Sequence, residues 1–147
     1  IVQLDLDLPL PEYAHDGDAG LDLYARESAT LAAGGGRALV PTGISIAIPM
    51  GHGGFVLPRS GMAMKHGISV VNAPGLIDAA YRGEIKVVLI NTDPETDYVV
   101  ERGDRIAQLV IAPVTAAEFS ECEQLESTTR GEGGFGHSGR EANGSES

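Results

Sequence analysis

The sequence predicts an all-β protein, a jelly-roll-like distorted β-barrel with one short helix and a flexible C-terminal arm. Apolar and polar residues alternate along most of the chain, which is the period of a strand with one buried face. The 147 residues include 20 glycines and 8 prolines but no tryptophan, which favours many turns and few long helices. About ten short strand-like segments follow one another without alternating helices, as in barrels and sandwiches.

The strand-like segments begin at the N-terminus, where Val2, Leu4, Leu6 and Leu8 alternate with polar residues. The further segments are residues 21–24, 38–41, 44–48, 54–57, 68–72, 84–91, 98–100, 106–111 and 118–125. Turn sequences rich in Gly, Pro and Asp separate them, at 34–36, 49–51, 74–75 and 93–94. One short helix is predicted over 62–66, with Ser60 and Gly61 at its opening.

The composition changes near residue 127, so we expect a β-barrel domain over 1–126 and a flexible arm over 127–147. Residues 130–147 contain six glycines and no Val, Ile, Leu or Met, and such a segment cannot bury enough apolar area to order itself. Arg130 and Phe135 are unusual in an inert linker. The arm is therefore expected to become ordered only against another surface.

The net charge of −11 is concentrated at the two ends of the chain. Residues 1–27 hold seven acids and one base, residues 115–147 hold seven acids and two bases, and the middle is neutral. An acidic chain without a basic stripe is a poor nucleic-acid binder. No apolar run is long enough to predict a membrane span, and no secretory signal is expected. The single Cys122 favours a reducing, cytoplasmic compartment.

Several arginines lie next to glycine, an arrangement that suits a phosphate. Glycine lets backbone N–H groups approach an anion, and the guanidinium fork matches phosphate oxygens. These pairs are Arg59-Ser60-Gly61, Arg82-Gly83, Arg102-Gly103 and Arg130-Gly131. For each pair alone, a turn with a surface arginine is the alternative. Together they indicate a polyphosphate ligand or several such turns.

Residues 72–84 join two strand-like segments and read as a hairpin whose tip carries Asp78 and Tyr81. Asp78 lies between Ile77 and Ala79, and a carboxylate in apolar company is a candidate general base. Tyr81 offers an aromatic face for a sugar or base, and Asn72 offers an amide for a base edge. The alternative is that Asp78 caps a turn and Tyr81 packs on the barrel.

Two other kinds of site are not supported. Residues 134–139 match GxGxxG by letters, but the segment neither follows a strand of a βαβ unit nor opens a helix, and no P-loop sequence occurs. The four histidines and Cys122 have no metal-ligand spacing, so a protein-ligated zinc site is not expected.

Five ordered motifs cover nearly the whole chain and resemble those of the homotrimeric all-β dUTPases (deoxyuridine 5'-triphosphate nucleotidohydrolases) of the bacterial type. The motifs are DAGLDL at 18–23, PRSG at 58–61, GLIDAAYRGE at 75–84, RGDRIAQL at 102–109 and RGEGGFG at 130–136.

The resemblance implies hydrolysis of dUTP to dUMP and pyrophosphate, which keeps uracil out of DNA and supplies dUMP for dTMP synthesis. Asp78 would deprotonate a water that attacks the α-phosphorus in line. Mg²⁺ would be held by the phosphates and by waters, with Asp22 and Gln108 acting through those waters. Each site would be shared between three subunits, with the arm donated by a neighbour.

The resemblance also implies which residues bind the substrate. The phosphates would contact Arg59, Ser60 and Gly61, and the γ-phosphate would contact Arg130, Ser138 and Gly139. Tyr81 would pack on deoxyribose, and Phe135 would stack over the base. Uracil would be read by Asn72 and the hairpin, so that the binding set also includes Gly75, Ile77 and Lys86. After the last motif glycine the family usually has Ser-Thr or Ser-Ser, whereas in this chain His137 precedes Ser138.

Two alternatives stay open at this point. A dCTP deaminase, alone or bifunctional, shares the fold, but its catalytic Glu position corresponds here to Val88. A non-catalytic jelly roll that binds nucleotide or protein is the other alternative.

Overall fold

The computed structural model describes residues 1–134, to which the following account is confined. The residues divide into two compact units, Ile1–Ala116 and a second unit that begins at Ala117. The first unit is built from eleven strands and one helix. In residues 1–134 no helix is long or apolar enough to cross a membrane. The expected all-β class is confirmed. The expected helix is confirmed too, and it begins two residues earlier, at Ser60.

The strands form two larger sheets and two short ribbons. In chain order they are β1 Val2–Gln3, β2 Leu21–Tyr24, β3 Ala29–Leu31, β4 Arg37–Pro41, β5 Ile44–Ser45, β6 His52–Leu57, α1 Ser60–His66, β7 Ile68–Val70, β8 Gly75–Ile77, β9 Lys86–Asn91, β10 Tyr98–Val100 and β11 Arg105–Pro113. One sheet has the order β2-β11-β6-β8 and the other β4-β9-β7, while β1 pairs with β5 and β3 with β10. All pairings are antiparallel, and within residues 1–134 they do not close into one ring.

One contiguous apolar core lies between the sheets. Every second residue of β9 is buried, and the central β11 buries Ile106, Ala107 and Leu109, because alternate side chains of a strand point to the same face. Buried aliphatic side chains from β2, β4, β6 and β7 complete the core. The buried Asn91 is tolerated in it because its amide donates to the carbonyls of Leu31 and Thr96.

The segment predicted as a hairpin over 72–84 has a more elaborate path. β7 and β9 do pair as antiparallel neighbours, as expected. The connection between them, however, leaves their sheet and contributes β8 to the edge of the other sheet, where Ile77 lies opposite Gly54 on β6. The connection thereby ties the two sheets together and holds Asp78 just beyond the end of β8.

The end of this connection is anchored by Glu84. Its Oε1 accepts a hydrogen bond from the backbone N–H of Gly43 at 2.9 Å and another from Arg26 Nη1 at 3.3 Å. Tyr81 donates its hydroxyl to the Glu84 carbonyl at 3.0 Å, and a Cβ at Gly83 would overlap that hydroxyl. Glycine at position 83 is therefore required by the tyrosine ring that crosses it.

The N-terminal alternation over residues 2–8 was expected to form one strand, and this expectation is wrong. Only Val2–Gln3 is a strand, since Asp5 forms a turn with its carbonyl and carboxylate accepting from the N–H groups of Leu8 and Asp7. Both nitrogens of the Arg102 fork donate to the Asp5 carboxylate, at 2.6 and 2.9 Å. The hydrogen bond from Arg102 holds the pKa of Asp5 at about 2.

Two other expectations for strands need correction. Residues 118–125 form no strand, because their alternation finds no neighbouring strand within the described part of the chain and a strand needs a partner for its backbone groups. In the segment 44–48 only Ile44–Ser45 is a strand. Its three isoleucines instead line an apolar cavity of about 250 Å³ beside Leu109.

Candidate active site

A buried carboxylate between two arginines forms the centre of the first part of the site. Asp22 lies on β2 and is 6% exposed. Its Oδ2 is 3.1 Å from Arg105 Nη1, and its Oδ1 is 3.3 Å from Arg59 Nε. Burying a lone carboxylate is costly, and two guanidinium groups compensate the charge. Asp22 Oδ1 accepts no hydrogen bond from the described residues, so this oxygen retains the capacity to accept one.

A β-bulge in β11 brings Arg105 to this carboxylate. Gln108 lies opposite Asp22, but Arg105 lies opposite Tyr24 because the register shifts between Arg105 and Ala107. In an unbroken ladder Ile106 would face Tyr24 and Arg105 would point to the other face of the sheet. The extra residue therefore turns Arg105 onto the face that carries Asp22 and Gln108.

The residues after β6 line a polar cavity beside this cluster, which we call the Arg59 cavity. It has a volume of about 320 Å³ and is lined by Arg59, Ser60, Gly61, Met62, Lys65, His66, Tyr98 and Gln108. Arg59 is held in place because its Nη1 donates to the Arg105 carbonyl at 3.0 Å. The sequence predictions placed Arg59, Ser60, Gly61 and Gln108 in one site, and the structure brings these four together.

Gly61 leaves open space in this cavity. A Cβ at this position would meet no atom within 4 Å among the described residues, and its φ lies outside the left-handed region. Neither backbone conformation nor packing in the single chain therefore requires glycine here. The absence of a side chain keeps the opening of α1 accessible to a ligand.

The residues predicted for the base and sugar line a second cavity, the Asp78 cavity. It has a volume of about 310 Å³ and is lined by Leu39, Leu76, Ile77, Asp78, Tyr81, Glu84, Ile85 and Lys86. The Asp78 carbonyl accepts from the Tyr81 N–H at 3.0 Å, and within residues 1–134 its carboxylate has no hydrogen bond or ion pair. The Asp78 side chain is exposed and does not cap the turn. Tyr81 is 44% exposed, so one part of its ring is available for contact.

Asn72 and Gly75 lie beside the start of β8. A Cβ at Gly75 would lie 3.5 Å from Asn72 Nδ2 and 3.3 Å from Val56 Cβ. A Cβ at position 75 would therefore be tight against Val56 on β6 and in ordinary contact with the Asn72 amide. Asn72 itself is exposed, and its amide neighbours the same connection that carries Asp78.

Within one chain the two cavities lie toward opposite ends of β6. Ile77 pairs with Gly54, so that Asp78 follows at the level of Gly53. Leu57, where β6 ends, comes four residues after Gly53, which corresponds to about 13 Å along a strand, and Arg59 follows two residues later. The Arg59 and Asp78 cavities share no lining residue. The candidate base and the candidate phosphate-binding residues of one chain therefore do not face one another.

The remaining arginine-glycine pairs have other roles in the structure. Arg82 donates to the carbonyls of Ala79 and Tyr81, and Arg102 binds Asp5. In the second unit, Arg130 Nε donates to the Gly133 carbonyl at 2.8 Å. Phe135, Ser138 and Gly139, together with His137, lie outside the described residues. Among the four pairs, Arg59-Ser60-Gly61 lines the polar cavity.

Sequence reasoning missed Arg105, Lys65, His66 and Tyr98 as neighbours of the Arg59 cavity. Burial raises the pKa of Tyr98, whose ring centroid lies 5.0 Å from that of His66. A signal for Lys65 was available, since it is four residues after Gly61 on the same short helix and such residues share a face. No local signal identified Arg105, because its position depends on the bulge.

Comparisons with known proteins agree with this arrangement. The dUTPase family model matches residues 7–139. The chain is 58% identical over 146 residues to the deoxyuridine 5'-triphosphate nucleotidohydrolase of Thermobifida fusca, an alignment that covers 99% of this chain and 81% of that protein.

Solved structures are similar as well. A mutant of the Staphylococcus bacteriophage 80alpha dUTPase with dUpNHpp matches with a TM-score of 0.85 and 31% identity, over 95% of this chain and 96% of that one. A mutant dUTPase from phage phi11 of S. aureus, described with a structural Mg(II) ion, matches with a TM-score of 0.78 and 26% identity, over 86% of this chain and 97% of that one.

The jelly-roll-like fold, with its polar cavity and its separate carboxylate, defines a class of all-β enzymes that act on nucleotides. Within this class, the positions of the five motifs and the extent of the family match identify the family. The chain belongs to the dUTPase family.

Proposed function

We propose that this enzyme hydrolyses dUTP to dUMP and pyrophosphate, with Asp78 as the general base for water attack on the α-phosphorus. The observation that carries the proposal is the free Asp78 carboxylate beside Tyr81, on a chain that also presents the polar Arg59 cavity. A carboxylate without a protein partner can accept a proton from water. The relatives named deoxyuridine 5'-triphosphate nucleotidohydrolase and the similar structure with dUpNHpp support dUTP as the substrate.

The site is proposed to be complete only in a homotrimer. In one chain Asp78 and Arg59 lie toward opposite ends of β6, and their cavities share no lining residue. We propose that the Asp78 cavity of one copy lies against the Arg59 cavity of the next in a closed ring, since a heterologous interface brings two different patches of the same chain together. We propose that the arm over 127–147, with Arg130, Phe135, Ser138 and Gly139, covers this site from a third copy.

In the assembled site the substrate contacts follow from the chemistry of the lining residues. Arg59, Ser60 and Gly61 bind the phosphates through guanidinium, hydroxyl and backbone donors. Tyr81 packs against deoxyribose and leaves no space for a 2′-hydroxyl. Asn72, Gly75, Ile77 and Lys86 belong to the part of the site that receives the nucleoside, since they lie along the same connection or line the Asp78 cavity.

The residues fit a magnesium ion that is held by phosphates and water. No group of three or more His, Cys, Asp or Glu side chains in residues 1–134 could hold a metal ion by itself. Asp22 is almost fully buried and paired with two arginines, which makes it a weak direct ligand, so its contribution to the ion would come through a metal-bound water. When bound, Mg²⁺ supplies charge neutralisation of the triphosphate. Asp22 and Gln108 would orient its waters.

The deaminase alternative has less support. Val88 lies on β9 opposite Leu39, and its aliphatic side chain cannot transfer a proton. Glu84, the other carboxylate at the Asp78 cavity, is occupied by Gly43 and Arg26. A cytoplasmic location stays a prediction from the cysteine content.

Hydrolysis in ¹⁸O-enriched water tests the reaction. Label in dUMP is expected and supports attack on the α-phosphorus, whereas label in pyrophosphate would contradict it. The Asp78→Asn variant should lose activity by about 10²–10⁴-fold, the usual contribution of a general base. Asp16→Asn is the matched control, since Asp16 is exposed and lies outside both cavities. Ammonia release from dCTP would instead indicate a deaminase.

A further inference from the structure

We propose that Lys65 binds the β- and γ-phosphates of the substrate and thereby discriminates nucleoside triphosphate from monophosphate. The inference rests on the proposed function and adds a residue that lies outside the five sequence motifs. Lys65 lines the Arg59 cavity together with Arg59, Ser60 and Gly61. Its ammonium group is a point charge with three donors, which suits phosphate oxygens.

The geometry of α1 directs Lys65 toward the phosphate-binding residues. Lys65 lies four residues after Gly61, so both share one face of the helix. Side chains of an α-helix lean toward its N-terminus, which brings the Lys65 side chain back over the position of Gly61. A Cβ at Gly61 would meet nothing within 4 Å in the described chain, so no side chain separates Lys65 from Ser60.

Lys65 also adds positive charge to a cavity whose other cation, Arg59, is paired with Asp22. The Arg59 guanidinium lies 3.3 Å from the buried Asp22 carboxylate, which offsets part of its charge, and its Nη1 donates to the Arg105 carbonyl. Lys65 is exposed and takes part in no ion pair within residues 1–134. Its charge is therefore available for a polyanion.

Two carboxylates on the other side of Lys65 are already occupied. Asp93 and Asp97 line an adjacent cavity with Lys65 and His66. Backbone hydrogen bonds from Glu95 and Thr96 lower the pKa of Asp93, and Asp97 accepts a hydrogen bond from the Ala33 N–H at 2.8 Å. Neither makes an ion pair with Lys65 in the described structure. The ammonium group of Lys65 is thus not held by these carboxylates in the described structure and can turn toward a phosphate tail in the Arg59 cavity.

The test compares a ligand with three phosphates and a ligand with one. Calorimetry measures the Kd of dUpNHpp and of dUMP, with Mg²⁺, for the wild type and the variants Lys65→Gln and Lys65→Arg. Loss of a charge-assisted hydrogen bond weakens binding by about tenfold or more. We expect this loss for dUpNHpp in Lys65→Gln, a change of less than about twofold for dUMP, and retention of most of the affinity in Lys65→Arg.

Control measurements separate binding from folding and from net charge. Arg37→Gln removes one positive charge from exposed β4 outside both cavities and should leave both Kd values unchanged. Lysine near the end of a helix also favours the helix itself, and thermal unfolding of each variant measures that effect separately. A stability change alone would not alter the ratio of the two Kd values.

Several results would overturn the inference. These are an unchanged Kd of dUpNHpp in Lys65→Gln, equal losses for dUpNHpp and dUMP, or a loss in Lys65→Arg as large as in Lys65→Gln. Failure of the proposed function looks different, because the wild type itself would then release no pyrophosphate from dUTP. A wild type that hydrolyses dUTP, with a Lys65→Gln variant of unchanged affinity and KM, would refute the role of Lys65 alone.

Discussion

Mixing two inactive variants tests whether the active site is shared between subunits. Arg59→Gln damages the Arg59 cavity, and Asp78→Asn damages the Asp78 cavity. Glutamine at position 59 can still donate to the Arg105 carbonyl, and Asp22 keeps its pair with Arg105, so folding should be preserved. Each variant alone should retain less than about 1% of wild-type activity, given the usual loss on removing a base or a charged donor.

The recovery on mixing follows from the separation of the two cavities. In trimers assembled from equal amounts of both variants, a shared site draws its Arg59 from one subunit and its Asp78 from the next. Each position holds the intact residue with a probability of about one half, so about a quarter of the sites are intact in a closed ring. Every mixed trimer of either composition has one intact site in three, so pyrophosphate release should recover to about 25% of the wild-type rate in the unfractionated mixture and to about 33% in purified mixed trimers.

The assay requires random mixing of the subunits. Co-expression with two affinity tags, followed by two purification steps, isolates the mixed trimers, and the wild type carried through the same procedure sets the reference rate. Arg37→Gln mixed with Asp78→Asn is the control. Because the Arg37→Gln subunits keep both Arg59 and Asp78, the rate of this mixture measures how far the Asp78→Asn subunits dilute the intact sites. No recovery from two folded variants in mixed trimers would refute the shared site and place Asp78 and Arg59 in one subunit's site.

Three further predictions follow from the arm, the sugar contact and the N-terminal ion pair. Truncation before Arg130 should leave a folded trimer with most of its dUTP hydrolysis lost, measured by pyrophosphate release; unchanged kinetics would remove the arm from the site. Tyr81→Ala should reduce the preference for dUTP over UTP by at least about tenfold in kcat/KM, because one polar or steric contact is typically worth that factor; an unaltered ratio would place sugar selection elsewhere. Asp5→Asn should lower stability against urea above pH 4 and lose this effect as the pH falls toward 2, since the folded-state pKa of Asp5 is depressed from 3.8 to about 2. A difference between Asp5→Asn and wild type that is as large at pH 2 as above pH 4 would show that the charge of Asp5 is not its cause.

The sequence predicted the elements that depend on local pattern. The alternation over β6, β9 and β11 is long enough to identify each strand, and the glycine after Ser60 marked the start of the helix. The motif residues Arg59, Ser60, Gly61 and Gln108 line one cavity in the structure; three of them are adjacent in the sequence, and the family resemblance supplied the fourth.

Features that depend on distant parts of the chain were not predictable in this way. The alternation over residues 2–8 suggested a strand, but the bidentate pair between Asp5 and Arg102 joins residues 97 positions apart and ends the strand early. The place of Arg105 beside Asp22 depends on a bulge that leaves no mark in the alternation of β11. The strand β8 was not predicted, because it lies in a connection that leaves one sheet and pairs with β6 of the other.

The way in which Arg59 is fastened has a consequence for affinity. Its Nε faces Asp22 and its Nη1 is bonded to a carbonyl, so the guanidinium is oriented before any nucleotide arrives. An arginine that is free in solution loses rotational freedom when it grips an anion, at a cost of about 0.5–1.5 kcal/mol. Here folding has already met that cost, so the remaining nitrogen, Nη2, can act on a phosphate from a fixed direction. A lysine at position 59 would have a single side-chain nitrogen. It could not contact Asp22 and the Arg105 carbonyl and bind a phosphate at the same time.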